Sequence, residues 1–122
     1  MTREHPPERI SPPQRRPSEL FDTSWEGHPL KIGISHYPET GEICEVFADT
    51  KKGGQMQATL DDACTLISLG LQYGLTIPQL AKSLSRVPDL AQGGDATLPA
   101  SPVGAILDAL GAEIAANAEG GA

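Results

Sequence analysis

Apolar and polar residues alternate from Leu20 to Asp49, as expected of strands with one buried and one solvated face. Three runs carry this period of two: Phe21, Thr23 and Trp25; then Leu30, Ile32 and Ile34; then Cys44, Val46 and Ala48, alternating with Ile43, Glu45 and Phe47. Turn residues separate the runs, with Gly27 after the first and Pro38 and Gly41 after the second. Because the connections are short, we expect an antiparallel meander.

The period changes after Gly54, where apolar residues begin to recur every three to four positions and predict an amphipathic helix. The positions on this stripe are Met56, Leu60, Ala63, Cys64, Ile67 and Leu71. Gly74 is a natural end for this helix, since glycine adopts the left-handed conformation found after many helices.

Two further helices are indicated by their first residues. Thr76, followed by Pro78 and Gln79, has the composition of a capping box and predicts a short second helix. Ser101 as a cap and Pro102 at the first helical position predict a third helix, and the apolar run that follows them ends at Ile114. Between them, residues 89–98 predict a loop.

These patterns predict an α+β fold, a three-stranded antiparallel meander packed against two or three C-terminal helices. Residues 18–116 would form the single domain. The Pro- and Arg-rich residues 1–17 predict a disordered arm, and the glycine-rich residues 117–122 a flexible tail.

Charge is unevenly distributed along the chain. The first seventeen residues hold four arginines and two glutamates, a balance of +2, so the net charge of −7 leaves −9 on the remainder. An acidic body disfavours nucleic-acid binding except through the arm. No apolar run has the length of a signal peptide or membrane span, which favours a cytoplasmic protein with no membrane partner.

The residues that could support catalysis or bind metal are few and scattered. His28, His36, Cys44 and Cys64 show no recognised zinc-ligand spacing, and both cysteines lie in patterns that bury small apolar groups. We therefore expect no catalytic residue, no metal and no cofactor.

A weak candidate site lies between the third strand and the first helix, at Lys51, Lys52, Gly53 and Gly54. A glycine turn before a helix can present backbone N–H groups to a phosphate or nucleotide, and two lysines add positive charge. The segment lacks the spacing of a phosphate-binding loop, and the alternative is a tight connection.

Two aromatic residues are candidates for an interface. Trp25 and Phe47 are most simply packing residues, but either would suggest a homodimer if it lay on an uncovered sheet face.

The chain resembles the TSCPD domain family in three stretches: Gly41 to Phe47, Lys51 to Gly54, and Asp61 to Leu80. The string Ile67-Ser68-Leu69-Gly70-Leu71-Gln72-Tyr73-Gly74, continued by Leu75 to Leu80, is the most specific part. This family includes the C-terminal module of adenosylcobalamin-dependent (class II) ribonucleotide reductases and short free-standing proteins. The Thr-Ser-Cys-Pro-Asp motif that names it corresponds here to Ala100-Ser101-Pro102-Val103-Gly104, which lacks the cysteine and the aspartate.

The resemblance implies an accessory role, because the reductase's radical chemistry requires a large barrel, active-site cysteines and a cobalamin site. We expect a non-catalytic module that binds a protein partner in deoxynucleotide metabolism. The alternatives are a regulatory domain that binds phosphate or nucleotide at the Gly53-Gly54 turn, and a separate component of a ribonucleotide reductase holoenzyme.

Overall fold

The computed structural model of the protein describes residues 8–51 and 53–120. Three strands come first, β1 (Ser18–Trp25), β2 (His28–His36) and β3 (Ile43–Thr50), and they pair in the order β1-β2-β3 with both pairs antiparallel. Three helices follow, α1 (Gly54–Gln72), α2 (Ile77–Ala81) and α3 (Pro102–Gly120). The predicted α+β meander with C-terminal helices is confirmed.

The segment between α2 and α3 contains more structure than the predicted loop. Strands β4 (Arg86–Pro88) and β5 (Thr97–Pro99) form a small antiparallel hairpin. Arg86 joins it to α3, because its guanidinium donates to both carboxylate oxygens of Asp108, at 3.0 and 2.8 Å. The loop interpretation of residues 89–98 was therefore wrong at its C-terminal end, where Thr97 and Leu98 pair with β4.

Strand register separates the two faces of the larger sheet. Phe21 pairs with Ile32 and Ile32 with Ala48 on the inner face, whereas Leu20, Gly33 and Phe47 form the equivalent row on the outer face. The inner face meets α1 and α3, and the core lies between them. The larger side chains that are fully buried in this core come from the sheet, from α1 and from α3: Ile32, Ile34, Val46, Leu60, Ile106, Leu107 and Leu110.

Capping side chains begin α2 and α3 where the sequence predicts. Thr76 and Gln79 form a reciprocal capping box, with the Gln79 N–H donating to Thr76 Oγ1 at 3.2 Å and the Thr76 N–H donating to Gln79 Oε1 at 2.9 Å. Ser101 Oγ accepts from the Gly104 N–H at 3.1 Å. These bonds satisfy N–H groups that a helix leaves without intrahelical partners.

The described part of the arm contacts the domain. The Ile10 N–H donates to the Gln72 carbonyl at 2.9 Å, the Tyr37 hydroxyl donates to the Ile10 carbonyl, and Arg16 forms an ion pair with Glu45. The mobility of residues 1–17 stays a prediction, and residues 1–7 lie outside the described residues. The predicted tail, residues 117–122, overlaps the end of α3, and residues 121–122 are also outside the described range. None of the described helices has both the length and the apolar character required to cross a membrane.

Candidate functional site

The glycine turn before α1 has the backbone geometry expected of a tight connection. Gly53 and Gly54 have φ values of 61° and 58°, a region that glycine adopts without steric cost. Gly53 is the N-cap of α1 and supplies no side-chain capping bond. Lys51 is exposed beside it, whereas Lys52 lies outside the described residues.

The bonds around this turn are internal to the protein. The Gln57 side chain accepts from the Thr50 N–H and donates to the Ala48 carbonyl, both at 2.9 Å. It therefore ties the first turn of α1 to the end of β3. Among the described residues of this turn, an anion could contact the N-terminus of α1 and the Lys51 side chain. The phosphate or nucleotide site therefore stays a prediction.

Trp25 and Phe47, the two candidate interface aromatics, lie on opposite faces of the sheet. Trp25 packs against the core on the inner face, and its indole N–H points at the Pro99 carbonyl, 3.4 Å away. Phe47 is on the outer face and 54% exposed, with exposed Leu20 beyond Gly33 in the same row. Phe47 thus has the position that an interface residue requires, and its role there stays a prediction.

Both cysteines are buried and free. Burial, and secondarily the Asp61 carboxylate, raises the pKa of Cys64 to about 11. Burial, followed by the charge of Glu45, also raises the pKa of Cys44 above its ordinary value. Since the thiolate is the reactive form, both sulfurs are poor nucleophiles at neutral pH.

His36 makes two local contacts at the end of β2. Its Nδ1 lies 2.9 Å from the Gly41 carbonyl oxygen and its Nε2 lies 2.8 Å from a Glu19 carboxylate oxygen. Within residues 8–51 and 53–120, no three His, Cys, Asp or Glu side chains come together as a metal site would require.

Helix α1 covers the free edge of β3 with polar side chains, and we call this contact the polar seam (Gln57, Ser68 and Gln72 against Cys44 to Thr50). Ser68 Oγ accepts from the Val46 N–H at 2.9 Å, and Gln72 Nε2 donates to the Cys44 carbonyl at 3.0 Å. An edge strand presents unpaired N–H and C=O groups, and these bonds satisfy several of them.

The seam also anchors the arm. Gln72 is only 4% exposed. Its Oε1 accepts from Arg9 Nε at 2.6 Å, while its Nε2 donates to the Cys44 carbonyl of β3. A cavity of about 300 Å³ lies beside the seam. No role was predicted for the three polar residues of α1, although positions 57, 68 and 72 share one face because they are whole turns apart.

A second depression, which we call the apolar groove, has a volume of about 550 Å³. Three distant segments line it: the end of β2 with the following turn and the start of β3, the connection from α1 to α2, and the C-terminal half of α3. Ile34, Leu71 and Ile77 form a buried floor, while Leu75 and Ile114 on its walls are 46% and 42% exposed.

Two of the three ionisable side chains at the apolar groove are carboxylates. Glu42 and Glu113 belong to the lining, and neither lysine nor arginine is among the described residues that line it. The remaining ionisable residue there, His36, has both ring nitrogens engaged as described above. The groove therefore combines apolar surface with negative charge.

Sequence reasoning missed this groove and placed Ile114 on the buried face of the third helix. The periodicity is correct, but α3 continues beyond the core, so its last large apolar residue stays half-exposed.

A family model described as TSCPD domain matches residues 5–115 of the chain. Searches of the curated proteins and of the solved structures return no match.

Proposed function

Since the chain belongs to the TSCPD domain family, we propose that it is a non-catalytic accessory module that binds a protein partner. We further propose that the partner is an adenosylcobalamin-dependent (class II) ribonucleotide reductase. Similarity to the terminal module of those reductases supports this partner, and it is most specific from Ile67 to Leu80. This segment contains the last six residues of α1 and most of α2.

The observation that carries the proposal is the apolar groove. Leu75 and Ile114 expose apolar surface above a floor of fully packed side chains, and such surface gains free energy when a partner covers it. The lining residues between Leu71 and Pro78 belong to the segment of strongest resemblance.

The state of the cysteines supports a binding role over a chemical one. Cys44 and Cys64 are buried with raised pKa values, so the protein holds them as neutral thiols at neutral pH. The residues equivalent to the family's motif are Ala100 to Gly104, where Ser101 serves as the cap of α3.

Titration of the purified chain into a purified class II reductase, followed by calorimetry, tests the proposal. We expect saturable binding that the double variant Leu75→Ser/Ile114→Ser weakens at least about tenfold, because truncated central apolar contacts commonly cost more than 1 kcal/mol each. Leu66→Ser is the matched control, since Leu66 is 70% exposed on α1 and does not line the groove.

Two outcomes of this experiment change the proposal. Absence of heat and of co-elution with the reductase would refute the reductase as partner. A change in the rate of ribonucleotide reduction when the chain is added would support the narrower alternative, a separate component of the holoenzyme. Binding without a rate change would leave the chain an accessory module.

A further inference from the structure

We infer that the apolar groove takes a basic peptide segment of the partner, anchored by at least one large aliphatic or aromatic side chain. This inference rests on the proposed function, a module that binds a protein. It adds the chemistry of the segment that docks and the residues that select it.

The apolar part of the groove accounts for the anchor. Its volume of about 550 Å³ lies within the range of roughly 300–1,000 Å³ typical of ligand-sized sites. Ile34 and Ile77 belong to its buried floor, and Ile43, Leu75 and Ile114 surround this floor. A side chain that enters is surrounded by hydrocarbon on several sides, which is the environment of interface residues with the largest binding energies.

The charge of the groove selects basic flanking residues. Glu42 and Glu113 lie at the lining, and the described lining contains no lysine or arginine to neutralise them. Lysine or arginine beside the anchor would be attracted to these carboxylates, whereas acidic residues or phosphates would be repelled.

Excess negative charge elsewhere on the domain acts in the same direction. Outside its first seventeen residues the chain carries a net charge of −9, the total of −7 less the +2 of the arm, and −7 of this remains when Glu42 and Glu113 are left out. This field attracts a basic segment at long range and raises its association rate at low salt. It disfavours nucleotides, whose phosphates would meet the same two glutamates.

Selection from a display library of random peptides, with the intact chain as bait, tests the inference without assuming a sequence. Clones that also bind Leu75→Ser are removed, and the survivors are synthesised and titrated by fluorescence anisotropy. We expect them to combine an apolar anchor with net positive charge. Binding should weaken at least about tenfold on Ile114→Ser and several-fold on Glu42→Gln/Glu113→Gln, and should weaken with added salt.

Two controls separate the groove from the rest of the surface. Leu66→Ser removes an exposed leucine outside the groove, and Asp62→Asn/Asp95→Asn removes two exposed carboxylates outside it. Both should bind the selected peptides with unchanged affinity. Thermal unfolding of every variant shows whether the fold is retained.

The inference is overturned if selection yields no peptide that depends on the groove, or yields neutral or acidic ones. It is also overturned if dATP, added to the isotope-labelled chain, shifts the amide resonances of Leu75 and Ile114 and the selected peptides do not. The groove would then bind a nucleotide and not a peptide. These results leave the proposed function intact when the reductase still binds. If the reductase does not bind while basic peptides do, the proposed partner fails and the groove inference survives.

Discussion

Helix α1 borders two surfaces of opposite character. On one side the polar seam joins Ser68 and Gln72 to the edge of β3, and its hydrogen-bonding groups satisfy one another. At its C-terminal end the helix opens onto the apolar groove, where Leu75 and Ile114 have no comparable cover among the described residues. A satisfied polar contact holds a fold together, whereas uncovered apolar surface is available to a partner.

This difference separates stability from binding in the same small domain. Changes in the seam should alter the free energy of unfolding, because a buried polar group that loses its partner keeps its desolvation cost. Changes on the groove walls should alter binding instead, since those side chains are already half in water.

Gln72→Leu should have the largest effect. It removes the bond to the buried Cys44 carbonyl and the bond from Arg9, and we expect it to lower the free energy of unfolding by about 2 kcal/mol or more. Urea unfolding followed by circular dichroism measures the change. Gln92→Leu is the control, because Gln92 is exposed in the β4–β5 loop. Equal losses in both variants would contradict a structural role for the seam.

Ser68→Ala should cost about 1 kcal/mol, since the Val46 N–H loses its acceptor while the helix remains intact. The same urea experiment applies, and exchange of the Val46 amide hydrogen should accelerate. Ser83→Ala provides the comparison, because Ser83 lies just after α2 and its exposed hydroxyl donates to the Gln79 carbonyl of that helix. An unchanged exchange rate at Val46 would show that Ser68 does not protect the strand edge.

The buried thiol beside the seam should make stability depend on alkaline pH. In the unfolded chain Cys64 has its ordinary pKa of 9.0, whereas burial in the folded protein raises this pKa to about 11. The unfolded state therefore binds fewer protons between these values, and the free energy of unfolding falls as pH rises. The contribution is fully present below pH 9.

Cys64→Ala should reduce this dependence, although Cys44 and Tyr37, whose pKa values are also raised by burial, would retain part of it. Urea midpoints measured from pH 8 to pH 11 give the slopes. Parallel slopes for the two proteins would contradict the assignment of this loss to Cys64.

Ile114→Ser should have the smallest effect on stability. We expect a change within about 0.5 kcal/mol, the usual range for exposed positions, together with the loss of peptide binding described above. A large loss of stability would place Ile114 in the core and remove it from the groove wall.

Local signals in the sequence accounted for most of the fold. Strand alternation, the Thr76 capping box and the Ser101 cap each depend on residues close together in the chain, and each is confirmed. The β4–β5 hairpin was missed because its strands have three residues each, too few to show a period of two.

Neither of the two surfaces beside α1 could be predicted from the sequence, and the reason differs from that for the hairpin. Ser68 and Gln72 have the polarity of a solvated helix face, and only the position of β3 shows that Gln72 is buried and Ser68 half-buried against its edge. The groove joins Glu42, Leu75 and Ile114 from three distant segments, so no local pattern could indicate it. The candidate residues that the sequence did indicate, at Gly53-Gly54 and Phe47, lie outside this groove.

The most direct test of the groove as a docking surface is quantitative co-purification. Tagged chain, Leu75→Ser/Ile114→Ser and Leu66→Ser are each mixed with equal amounts of purified class II reductase, and the bound fraction is measured. We expect the unaltered chain and Leu66→Ser to retain the reductase equally and the groove variant to lose it. Equal retention by all three would contradict the groove as the site of binding.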